Sequence, residues 1–335
     1  MSAPTTAARL AFMLPLVLLV VATSAFLGPR WIGWDELRAD EAAAHVFWHL
    51  RIPRVLLAAA AGAGLAIGGV IFQALFRNPL AEPYTLGVAS GASLGAAIGF
   101  LTGWPAVMPL GLPPLTALAF CGALAAMSLV YFMSRLRPGA EMTHLLLAGI
   151  CVAYMCSAGI LLITFLADRA VTNDIVVWMM GSLGVLRPRA ALEITLVLLP
   201  VLAWTLSRHR ALDLLMFGER LAASRGVALG TTIWSCYALA SVLTAIIVAN
   251  CGPIGFVGLM VPHISRLLFG VRTLPLLIGS ALTGAAFLAL CDGIARSLPV
   301  TELPVGVVTS IIGAAFFLYM LATHGETPAE RPLAA

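Results

Sequence analysis

Apolar runs of roughly 20 residues follow one another along nearly the whole chain, and no other feature limits the fold as strongly. About 20 residues of helix, rising about 1.5 Å each, cross a hydrocarbon core of about 30 Å. A segment inside lipid must satisfy its backbone polar groups internally, which leaves helices or a closed barrel. A barrel alternates polar and apolar residues in short segments, and this chain does not. With 61% hydrophobic and 10% charged residues, the composition also departs from that of soluble domains, about 45–50% apolar and 25% charged. The expected fold is all-α: one polytopic membrane domain over 1–335, with about ten helices, some broken, and short amphipathic helices at the cytoplasmic surface. The spans are predicted at about 10–27, 53–76, 84–101, 115–134, 142–167, 191–207, 231–250, 252–269, 274–290 and 305–322.

The first run follows Arg9 and is longer than the 7–15 residue apolar region of a signal peptide, so it reads as a membrane helix. An even number of spans puts both termini on one side. With the amino terminus inside, internal segments hold Arg77, Arg135, Arg137, Arg208, Arg210, Arg220, Arg225, Arg266 and Arg272, more arginines than acids. External segments hold Arg51, Arg54, Arg187, Arg189 and Arg296, offset by Asp35, Glu36, Asp40, Glu41, Asp168 and Asp174. The bias favours cytoplasmic termini in an inner (cytoplasmic) membrane. Arg51 and Arg54 then face outward against the general trend.

The 19 basic side chains other than histidine are all arginine. Without lysine there is no P-loop of the G-x-x-x-x-G-K-[ST] type and no Schiff-base chemistry. A dispersed net charge of +4 does not suit nucleic acid. Six cysteines lie in or beside apolar runs without a C-x-x-C pair and read as packing residues. No His, Cys, Asp and Glu residues cluster at metal-ligand spacing, and His144 reads as a packing or hydrogen-bonding residue. Acids gather at segment ends rather than at the midplane, against an ion-coupled secondary transporter, the alternative from a different class. Neither H-E-x-x-H nor G-x-S-x-G occurs, against an intramembrane enzyme.

Three segments break the helical pattern: FRNPLAEPYTLGVASGASLGA from Phe76, ANCGPIGFVGLMVPHISRLLFG from Ala249 and DGIARSLPVTELPVGVVTSIIGAAFFLYML from Asp292. Together, in this order, they closely resemble the FecCD family of ABC-importer permeases, which serves cobalamin, ferric siderophores and haem. The resemblance runs from about Arg51 to Leu321. It implies a ten-helix subunit that dimerises with a second copy of itself around a translocation path. It also implies two separate ATPase subunits, which hold the ATP and Mg, and one external binding protein. No cofactor is expected in this chain, whose other contact is membrane lipid.

Residue by residue, LDLLMFGERLAASRGV resembles the family's cytoplasmic coupling helices, about 211–226, which dock on the ATPase. The implied docking set is Asp213, Leu214, Leu215, Gly218, Glu219, Arg220, Arg225 and Gly226. Gly218-Glu219 matches the family's Gly-Glu core. Arg220 stands where a second acid is frequent, and Arg225-Gly226 where the family ends in Leu-Gly. Arg51 and Arg54 match the family's R-x-P-R motif and Arg296 the arginine after its late A-D-x-x-A-R stretch, and the resemblance implies that all three dock the binding protein, since equivalent arginines face outward and pair with its glutamates in the cobalamin system. Snorkelling to lipid phosphates is the other reading of these arginines. By resemblance, the path runs between the fifth and tenth helices of the two copies, and Met142 and Thr143 form part of a cytoplasmic gate. A ferric siderophore is the first expectation for the cargo, with haem or cobalamin as the alternative.

Overall fold

Glycine and proline decide where the apolar runs can stay helical, so the helices begin and end at such residues more sharply than hydropathy alone suggests. The computed structural model describes residues 6–103, 113–135, 142–184, 189–298 and 302–323, and all regular structure among them is helical. In chain order the helices are α1 (Thr6–Ser24), α2 (Trp34–Ala39), α3 (Glu41–Val46), a π segment (Phe47–Arg51), α4 (Ile52–Phe76), a 3₁₀ turn (Pro83–Leu86), α5 (Val88–Thr102), α6 (Pro114–Arg135), α7 (Met142–Leu166) and α8 (Arg169–Met179). They continue with α9 (Ala190–Ser207), α10 (His209–Met216), α11 (Glu219–Ser224), α12 (Leu229–Cys251), α13 (Val257–Phe269), α14 (Thr273–Ser297) and α15 (Val305–Thr323).

Seven helical stretches among the described residues are long and apolar enough to cross a membrane, and three shorter apolar helices, α1, α5 and α13, complete the set read from sequence. Two of these correct the predicted boundaries. The runs placed at 84–101 and 252–269 become α-helical only at Val88 and Val257, because the residues just before them, Gly87 at φ +79° and Phe256 at φ +67°, hold left-handed backbone that a right-handed helix does not admit. Helix α14 runs to Ser297 rather than stopping at residue 290.

We call the end of the bundle at which α1 starts the lower end. Helix α4 is the central post, the most deeply buried of the long apolar stretches. Its small residues let neighbours approach: a methyl group on Gly62 would collide with the backbone of Gly284 in α14, and one on Gly69 with that of Gly258 in α13. After α4 reaches the lower end at Arg77, the chain turns back until Pro83 packs against Gly68, well inside the bundle. The segment between α12 and α13 is also interior: Ile254 is buried, and the N–H of Ser182 donates to the carbonyl of Cys251 at 2.8 Å. Non-helical backbone at such depth persists only where protein covers it. Here the end of α8 and the start of α15 provide the cover.

Candidate functional sites at the two ends of the bundle

At the upper end α1 finishes with carbonyl groups that have no partner inside the helix, a place that favours cations. Arg51 donates to the carbonyls of Phe26 at 2.9 Å and Arg30 at 2.7 Å. Arg296 donates to those of Leu27 and Ser24, both at 3.1 Å. Its Nε also lies 2.9 Å from Oδ2 of Asp292. Arg54 joins two acids: its Nε is 2.9 Å from Oδ1 of Asp292, and its Nη1 is 2.8 Å from Oε2 of Glu302. Asp292 is fully buried, whereas the Glu302 side chain is 58% exposed. The three arginines and Glu302 line a cavity of about 540 Å³ together with Gly28 and Arg30.

The three arginines were expected as outward-facing charges that dock the binding protein, and the structure places all three at the upper end. Arg51 and Arg54 are 8% exposed and Arg296 4%, and their donors are engaged within the chain. The reason is tertiary: α14 brings Asp292, 238 positions from Arg54 along the chain, into the gap between the two helix ends. A motif that gives each arginine a place does not reveal that partner.

At the lower end the predicted coupling segment forms two short helices, α10 and α11, joined at Gly218, whose φ of +117° suits a residue without a Cβ. Helical periodicity splits the expected docking set. Leu215 is buried and Leu214 packs on the core. Asp213 turns to α14, where its Oδ1 accepts from the backbone N–H of Thr273 at 2.7 Å and from its hydroxyl at 2.6 Å. Asp213 and Leu214 are half-buried. Arg220, Arg225 and Gly226 are exposed, and Glu219 sits 3.7 Å from Arg77 at the end of α4. Phe217, which the sequence reading did not select, projects at 78% exposure with Leu221 nearby at 42%. An aromatic residue beside Gly218 at an exposed turn was the available signal. Deeper in, Gln73 donates to the carbonyl of Gly258 and accepts from Arg266. Met142 and Thr143 open α7, and their side chains lie outside the described residues.

Broken helices meeting inside an apolar bundle, together with polar constellations at both ends, define a multi-span membrane transport protein. The chain belongs to the FecCD transport family, whose model matches residues 16–323. It is 37% identical over 327 residues to the hemin transport system permease protein HmuU of Yersinia pestis, covering 95% of this chain and 96% of that protein. It is 39% identical over 302 residues to the cobalamin import system permease protein BtuC of Halobacterium salinarum, covering 89% and 78%. The vitamin B12 import system permease protein BtuC of Escherichia coli is 36% identical over 318 residues, covering 93% and 94%. Among solved structures, an inward-facing metal-chelate type ABC transporter matches with a TM-score of 0.84 and 29% identity over 95% of this chain and all of that one. The chain is a permease of the metal-chelate type of ABC importer.

Proposed function

We propose that two copies of this chain form the path of an ATP-driven importer of the inner membrane, fed by an external binding protein and powered by two ATPase subunits. In this reading Arg9, Arg77, Arg208, Arg210, Arg220, Arg225, Arg266 and Arg272 crowd the lower end, which is therefore cytoplasmic together with both termini. The path runs between α7 and α15 of the two copies, whose large apolar residues, among them Tyr154, Phe165, Leu318 and Tyr319, are exposed in the single chain. Met142 and Thr143 contribute to the cytoplasmic gate. The binding protein lands on the upper end, where Arg30 and Glu302 are among the accessible charges and Arg51, Arg54 and Arg296 line the cavity beside them.

One observation carries the energetic part of this proposal. The turn at Phe217-Gly218 offers an exposed aromatic knob flanked by Glu219, Arg220 and Arg225, the form of a docking anchor. Phe217→Ala is expected to weaken association with the ATPase by about 2 kcal/mol, roughly thirtyfold, measured by titrating purified ATPase onto the permease dimer. A change below about threefold sinks the assignment.

For the cargo, relatives named for haem and vitamin B12 across most of the chain support a tetrapyrrole chelate over the ferric siderophore first expected. Haem is our first choice, on the similarity that spans 95% of this chain. ATP-dependent uptake into proteoliposomes, with the cognate binding protein loaded in turn with haem, cobalamin or a ferric siderophore, tests it. Uptake of the siderophore alone would overturn it. Transport that continues with an inactive ATPase but stops when a proton gradient collapses would return the question to a secondary transporter.

A further inference from the structure

Helix α14 begins without a side-chain cap from its own N-cap residue, Arg272. The cap comes from 60 positions away, where one carboxylate oxygen of Asp213 accepts both the N–H and the hydroxyl of Thr273. Aspartate is among the best N-cap residues, and its charge also favours the positive end of the helix. Thr273 is 1% exposed, so water competes little for these bonds. A cap supplied by a second element is a joint. Helix α10 cannot shift without either moving α14 or breaking both charge-assisted bonds.

From that joint α14 runs about 37 Å at 1.5 Å per residue over its 25 residues. At its upper end Asp292 and Arg296 tie it to Arg54 and to the end of α1. Along its length it packs on α4 through Gly62 and Gly284, with no side chain between the backbones. Helix α4 has its own link to the coupling helices through Arg77 and Glu219, but an exposed pair at 3.7 Å holds little. The Asp213 bonds are the stronger fastening.

We infer that α4 and α14 form one rigid strut that carries movement between the ATPase face and the upper end, and that Asp213 is the positioning residue that couples α10 to it. The inference rests on the importer reading above. It is tested on the complete importer, with ATPase and binding protein, in proteoliposomes, by counting chelates moved per ATP hydrolysed. Asp213→Ala is expected to lower that ratio about tenfold, while Asp213→Asn, which keeps an acceptor oxygen, stays within about threefold of the parent. A merely structural role would reduce transport and hydrolysis together and leave the ratio unchanged. A ratio within about twofold of the parent for Asp213→Ala overturns the inference.

If Asp213→Ala does not fold, the pair Asp213→Cys and Thr273→Cys decides the matter, with the exposed Cys121 and Cys151 replaced by serine. Cross-linking the joint should preserve transport, because a rigid fastening does not open during the cycle. Arrest on cross-linking overturns the inference. Failure of the importer reading looks different, since the unmodified chain would then move no chelate on ATP addition.

Discussion

Arg54 holds two carboxylates on one guanidinium, and only one of them is buried. Removing one partner of a buried pair leaves an uncompensated charge, at a cost of about 3–5 kcal/mol. Arg54→Ala should therefore destabilise the protein by about 3 kcal/mol, because Asp292 would keep only Arg296. Glu302→Gln, at the exposed end of the same cluster, should cost less than about 1 kcal/mol. Thermal unfolding in detergent compares the two, and equal losses would contradict the burial pattern. Arg51 and Arg296 were legible as special residues because charges are rare at the mouths of apolar runs. Their partners were not, since the backbone carbonyls at and just after the end of α1 carry no signature in a sequence.

Among the elements, α4 and α14 depend on a contact that admits no Cβ. Gly62→Ala should cost about 1–3 kcal/mol through overpacking, whereas Gly33→Ala, with nothing nearby, should be nearly silent. Refolding yield and unfolding temperature of the two variants check this. Glycines recur at 87, 91, 95 and 99, and Gly91 and Gly95 meet the backbone of α6. Boundaries were legible to within a few residues for the unbroken helices. They failed where an apolar run contains a re-entrant turn, because hydropathy is the same whether such chain is helical or folded back inside protein. They failed also at the end of α14, which runs on past Asp292 because Arg54 and Arg296 neutralise that carboxylate inside the bundle.

For the whole molecule, the topology makes a prediction that needs no transport assay. With Cys121 and Cys151 replaced by serine, Phe217→Cys and Arg30→Cys should label from opposite sides of the membrane with an impermeant thiol reagent, and tags on the two termini should share the side of Phe217. Labelling of both positions from one side would refute the arrangement. Sequence by itself determined that this is an all-helical membrane protein, which runs are apolar enough to cross, and that a short amphipathic helical segment lies between the sixth and seventh of them, because these follow from residue type and local period. Which face of that segment is free, and what the rare charges pair with, was decided only by the tertiary structure. Asp213 caps α14 and Arg54 clamps a buried carboxylate because helices distant in sequence bring Thr273 and Asp292 within hydrogen-bond reach.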